Sequence, residues 1–125
     1  MDTRFTLLDT GGLARPPLPV FFSLANGIVF VVDAADADSF CDARRMLWEV
    51  LEIEELKGVL VVILGNKIDH CNAVSLEEFL GLLGLGEDEA KLDSIRQERA
   101  LEVVMGSVRL GCGTQGILNW LSRHV

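Results

Sequence analysis

The sequence predicts an α/β fold, a mainly parallel sheet with helices on both faces. Three observations carry this. Residues 27–32 (Gly-Ile-Val-Phe-Val-Val) and 59–64 (Val-Leu-Val-Val-Ile-Leu) are unbroken apolar runs rich in β-branched side chains. They do not alternate polar with apolar, so the strands they form are buried on both faces, as in a parallel sheet. Helical patterns lie between and after them, and strands alternating with helices build βαβ units of a doubly wound sheet. The chain has 125 residues, 50% of them hydrophobic, which is enough for the core of one domain over residues 1–125.

Taken in order, residues 4–8 are β-rich and stop at Asp9-Thr10-Gly11-Gly12. Residues 13–19 hold Pro16, Pro17 and Pro19. Proline lacks an N–H and has a fixed φ, so neither a central strand nor a helix interior accepts this density, and a loop is expected. In residues 40–51, Phe40, Ala43, Leu47, Val50 and Leu51 share one helical face, with Asp38 or Ser39 as the cap. Ser75-Leu76-Glu77-Glu78 is a capping box, in which the hydroxyl and Glu78 satisfy free N–H groups reciprocally. It opens a helix to about Leu83, stopped by Gly84 and Gly86. Residues 87–99 are charged and read as a loop with a helical turn. Residues 101–108 are a weaker third strand. Residues 114–123 are a closing helix with Ile117, Leu118, Trp120 and Leu121 as its apolar part. Trp48 reads as a packing residue, His70 and His124 as surface or helix-end residues, and Glu52, Glu54 and Glu55 as a solvated helix end.

The net charge is -8, with 11 Lys plus Arg against 19 Asp plus Glu. A nucleic-acid partner is disfavoured, because holding its phosphates needs a basic face. A single nucleotide is compatible, since a few local donors and a metal suffice for it. Cys41, Cys71 and Cys112 are widely spaced without a CxxC pair. Neither a zinc site nor a disulfide framework follows, and reduced thiols are the plain reading. The longest apolar runs are too short to span a bilayer, and no signal peptide is read at the start.

In a doubly wound sheet, ligands sit at the carboxyl ends of the strands. Three segments follow strands immediately. In Asn66-Lys67-Ile68-Asp69, the Asp69 carboxylate can accept hydrogen bonds from both N1–H and the exocyclic amine of guanine. Adenine lacks that donor pair, so the contact discriminates. Lys67 can lay its methylene stem along the base, and Asn66 can tie the loop to its neighbours. The plainer reading is a helix-entry loop capped by Asp69. In Asp9-Thr10-Gly11-Gly12, Asp9 can hold Mg²⁺ through water, and Gly12 can bring a backbone N–H close to a phosphate oxygen; an ordinary strand-to-loop turn fits as well. Ser107-Val108-Arg109 could present a backbone N–H to guanine O6, or be a generic strand end.

These segments resemble a small GTPase of the Arf/Sar family, closest to its Sar branch. The matching text is Asp9-Thr-Gly-Gly12, Asn26-Gly-Ile-Val-Phe-Val-Val-Asp33, Ile63-Leu-Gly-Asn-Lys-Ile-Asp69, Asn72-Ala-Val-Ser75 and Met105-Gly-Ser-Val108, with Trp120 near the end. The resemblance implies a P-loop NTPase (small GTPase) fold with GTP/GDP and Mg²⁺ as ligands. By it Asn66, Lys67 and Asp69 read guanine, Ser107 and Val108 complete the base pocket, and Asp9 and Gly12 belong to the Mg²⁺ and γ-phosphate end. It implies COPII coat assembly in ER-to-Golgi vesicle transport. Coat, exchange and activating proteins are the expected partners, at the cytosolic face of endoplasmic reticulum and Golgi membranes, with peripheral membrane contact.

The chain also departs from that family. It holds no Gly-x-x-x-x-Gly-Lys-[Ser/Thr], the loop that cradles the β-phosphate and supplies a lysine and the Mg²⁺ hydroxyl. The family places it before residue 4, so a partial fold is expected, with the first two strands and the amphipathic membrane helix missing. Leu13 stands where the family has the residue that orients attacking water, and its side chain cannot hydrogen-bond; impaired hydrolysis is expected. Residues 4–8 and 27–32 should then either pair directly or leave an apolar edge. Two other readings stay open: a non-enzymatic protein-interaction module on the same scaffold, and a non-functional truncated copy.

Overall fold

The computed structural model describes residues 26–86 and 89–124. The expected strand at 4–8, the proline segment, Asp9, Gly12 and Leu13 lie outside them. Three strands, β1 (Gly27–Asp33), β2 (Leu60–Asn66) and β3 (Leu101–Met105), form a parallel sheet in the order β1-β2-β3. Asp33 stands opposite Asn66, and Gly65 opposite Met105. All three carboxyl ends are therefore level at one edge of the sheet.

Helix α1 (Phe40–Glu52) joins β1 to β2 and buries Phe40, Leu47, Val50 and Leu51, the face that the 3.6-residue period selects. The expected cap is different. Ser39 makes no side-chain cap bond, and Asp36 instead accepts from Asp38 N at 3.2 Å, capping a short 3-10 turn (Ala37–Ser39) that feeds the helix. Helix α2 (Leu76–Leu82) starts as expected, with the Ser75 hydroxyl accepting from Glu78 N at 3.2 Å. It ends where Gly84 adopts a φ of 74°, a left-handed conformation that glycine enters without steric cost.

Residues expected to be mostly loop form a full helix, α3 (Glu89–Glu98). Its own apolar stripe is weak, but Ile95 packs against the main core and the chain continues into buried Arg99. Arg99 Nη2 donates to the Leu51 carbonyl at 3.0 Å, a cation on the C-terminal turn of α1 that complements its dipole. Tertiary anchoring at the far end thus overrides a feeble local pattern.

Helix α4 (Thr114–His124) closes the chain. The alternation of β2 divides the core between the two faces of the sheet. Val61 and Ile63 pack with Phe40, Leu47, Leu51, Phe79 and Leu83 under α1 and α2. Val62 and Leu64 pack with Ile117, Trp120 and Leu121 under α4. Val61, Val62 and Ile63 are fully buried, which is why the run shows no alternation. On β1, Val29 and Val31 lie level with Val62 and Leu64 yet are 39% and 57% exposed, so α4, whose Leu121 reaches Gly27, leaves these two valines partly uncovered.

Candidate functional site

The level strand ends bring three connecting segments together, and backbone hydrogen bonds stitch them. Ala34 N donates to Asn66 O at 2.9 Å, Val74 N to Ala34 O at 2.9 Å, Gly106 N to Gly65 O at 2.9 Å, and Ile68 N to Gly106 O at 3.2 Å. The loops after β1, β2 and β3 therefore form one surface. Of the segments singled out in the sequence, Asn66 to Asp69 and Ser107 to Arg109 meet there; Asp9 to Gly12 is outside the described residues.

Asn66 ends β2 and points its amide across to the next loop: its Oδ1 accepts from Val108 N at 3.0 Å. Lys67 turns the chain with a φ of 70°, uncommon for a residue with a Cβ. Its Nζ reaches Asp33 Oδ2 at 2.9 Å, so the stem crosses from the end of β2 to the end of β1. The same aspartate accepts from Ala35 N through Oδ1 at 2.9 Å. The Lys67 ammonium holds the Asp33 carboxyl below the usual carboxylate range, and the carboxylate raises Lys67 in return.

Asp69 lies one turn further on. The neighbouring Ser107 hydroxyl holds the Asp69 carboxyl below the usual carboxylate range, with a smaller contribution from the Arg109 guanidinium 3.7 Å from Oδ2. Ser107 is buried, while Arg109 is 85% exposed. The hydroxyl is thus a buried neighbour and the arginine a loose, solvent-screened one. Asp69 is ionised at neutral pH and acts there only as an acceptor.

The 107–112 turn is closed by Ser107 N to Cys112 O and Cys112 N to Ser107 O, both 2.9 Å. Leu110 N donates to Ser107 Oγ at 3.3 Å and Gly111 N to Val108 O at 3.2 Å. The Val108 N–H is therefore taken by Asn66. Among the described hydrogen bonds, the Arg109 N–H is the amide of this turn that remains unengaged. Gly106 is required where the turn closes, since a side-chain carbon there would run into the Cys112 carbonyl oxygen. Gly111 and Gly113 have φ of 70° and 86°. Gly111-Cys112-Gly113-Thr114-Gln115-Gly116 spells the Gly-x-Gly-x-x-Gly of dinucleotide sites, but it follows a closed turn rather than a strand, so its glycines serve the turn.

Sequence reasoning quoted Asp33 without giving it a role. The signal available was a carboxylate ending a buried run, but its partner is 34 positions away and only the strand register aligns them. Among the described residues no group of three or more His, Cys, Asp or Glu gathers to hold a metal. No described helix is long and apolar enough to cross a membrane.

Comparison with known proteins fits this arrangement. The model of the ADP-ribosylation factor family matches residues 1–125. The chain belongs to the ADP-ribosylation factor family. Among curated members, the Small COPII coat GTPase SAR1 of Giardia intestinalis is 35% identical over 129 aligned positions, covering 98% of this chain. ADP-ribosylation factor-like protein 1 of Caenorhabditis elegans is 28% identical over 126, covering 99%. The chain spans 66% of the length of each of these relatives. The parallel sheet with helices on both faces is that of a partial small GTPase.

Proposed function

We propose that the surface formed by Asn66, Lys67, Asp69, Ser107 and Val108 is a guanine site, and that the chain is a Sar-like GTP/GDP-binding domain over residues 1–125. The observation that carries this is the Asp69 carboxylate, ionised beside the buried Ser107 hydroxyl just past the end of β2, where the Asn66 to Val108 bond joins the two loops. Such a group accepts both N1–H and the exocyclic amine of guanine, a pair that adenine cannot offer. Asn66 locks the two loops to each other, the Lys67 stem supplies an apolar surface, and the turn after Ser107 supplies an amide for O6. By family kinship, Asp9 and Gly12 serve Mg²⁺ and the terminal phosphate.

Kinship with a COPII coat GTPase supports a role in ER-to-Golgi vesicle transport, with coat, exchange and activating proteins as partners at the cytosolic face of those membranes. Leu13 at the water-orienting position supports impaired hydrolysis. It equally favours a second reading, a scaffold that binds proteins without turnover. Displacement of fluorescent GDP tests the first reading. GDP is expected to compete at least tenfold better than ADP, and Asp69→Ala to abolish that preference. Equal competition by ADP sinks the guanine site. A partner whose binding survives Asp69→Ala supports the second reading.

A further inference from the structure

We infer that Asp33 is a positioning residue of the purine site: it holds the Lys67 ammonium so that the lysine stem forms a fixed apolar surface for a purine ring, whichever base edge Asp69 reads. The inference rests on the guanine-site reading above. Its observations are independent of Asp69. Asp33 and Asn66 are register partners, so the 2.9 Å contact from Lys67 Nζ to Asp33 Oδ2 fixes the two ends of the stem at adjacent strand ends. The Lys67 backbone is already committed to a φ of 70°, with His70 N donating to Lys67 O at 3.0 Å.

What remains free is the side chain, and a lysine loses much rotamer freedom when it is ordered. Ordering it before the ligand arrives removes that cost from binding. With side chains 57% and 29% exposed, the pair adds little to folding stability, so its effect belongs to binding. The other contact of Asp33, Oδ1 to Ala35 N at 2.9 Å, is one that an asparagine retains. Asp33→Asn therefore removes the charge and spares the turn.

The test is a double-mutant cycle read by amide NMR titration of the full chain with GDP, ADP and IDP, whose base lacks the exocyclic amine. Asp33→Asn is expected to weaken GDP and IDP by one common factor, about three- to fivefold, leaving their ratio unchanged. Lys67→Met keeps the apolar stem and removes the ammonium. Alone it is expected to weaken both nucleotides by that same factor, and in its background Asp33→Asn should have no further effect. Asp69→Ala is expected to lower the GDP-to-IDP ratio instead. Unchanged affinity in both single variants, or an equal loss from Asp33→Asn in both backgrounds, overturns the inference while leaving guanine selectivity intact. A wild-type chain that binds neither nucleotide, or binds ADP as well as GDP, overturns the guanine-site reading and the inference with it.

Discussion

Asp33 and Asp69 are both held below the ordinary carboxylate value of 3.8, but by different neighbours. For Asp33 the leading cause is the Lys67 ammonium; for Asp69 it is the Ser107 hydroxyl. A carboxyl with a depressed folded value contributes stability that is present above its unfolded value and lost as pH falls through the folded one. Lys67, raised from 10.5, contributes below that value and loses its contribution as pH rises through the folded one. The pair is therefore constant through the neutral range. Urea denaturation should show at most a small wild-type advantage over Asp33→Asn, flat from about pH 5 to 9 and lost as pH falls below about 3.8. Ser107→Ala is expected to move the Asp69 titration up toward 3.8, seen in the carboxyl carbon shift; an unmoved titration would contradict the assigned cause. At this scale the sequence made Asn66, Lys67, Asp69 and Ser107 legible as chemical types in a pattern. It gave no partner for Lys67 and no occupant for the Val108 N–H, because both partners are distant in the chain.

The helices differ in how far local information specifies them. Phe40, Leu47, Val50 and Leu51 recur at the helical period and are all buried, and Phe40 meets Phe79 of α2 edge-on at a 6.0 Å ring separation. Leu47 is fully buried, so Leu47→Ala should cost about 2–5 kcal/mol, most of it as a cavity under α1. Ser75→Ala should cost about 1 kcal/mol, since Glu78 N loses its acceptor. Chemical denaturation checks both, and a Leu47→Ala loss under about 1 kcal/mol would mean that the core collapses to fill the gap. Helix α3 was not legible, because its docking residue Ile95 and the following Arg99 act through contacts with distant elements. The third strand was read three residues too long: pairing stops at Met105 as Gly106 and Ser107 enter the closed turn.

For the whole molecule, the sheet is what makes a site out of separate loops. Its register levels Asp33, Asn66 and Met105 at one edge, and a ligand bridging the loops binds the native state alone. Such a ligand stabilises by mass action, about 2.7 kcal/mol at one hundred times its Kd. Thermal melting followed by tryptophan fluorescence should therefore rise with GDP concentration and stay unmoved by ADP; an equal rise with both would contradict a guanine site. The partly exposed Val29 and Val31 belong to this scale too. β-branched apolar side chains there say only that the strand is buried in some assembly of elements, and the covering element is set by topology.

Local order was written in the chain itself: the β-branched strand runs, the helical face of α1, the Ser75 cap, and the Asn66 to Asp69 and Ser107 to Val108 segments in register after strands. These follow from backbone period and side-chain type, which act over a few residues. Tertiary structure alone decided that Asp33 grips Lys67, that Asn66 takes the Val108 amide, that the Ser107 hydroxyl comes beside Asp69 and that Arg99 seats α1. Each of these joins groups brought close only by strand pairing, and hydrogen bonds and ion pairs act over a few ångströms of space, whatever the distance along the chain.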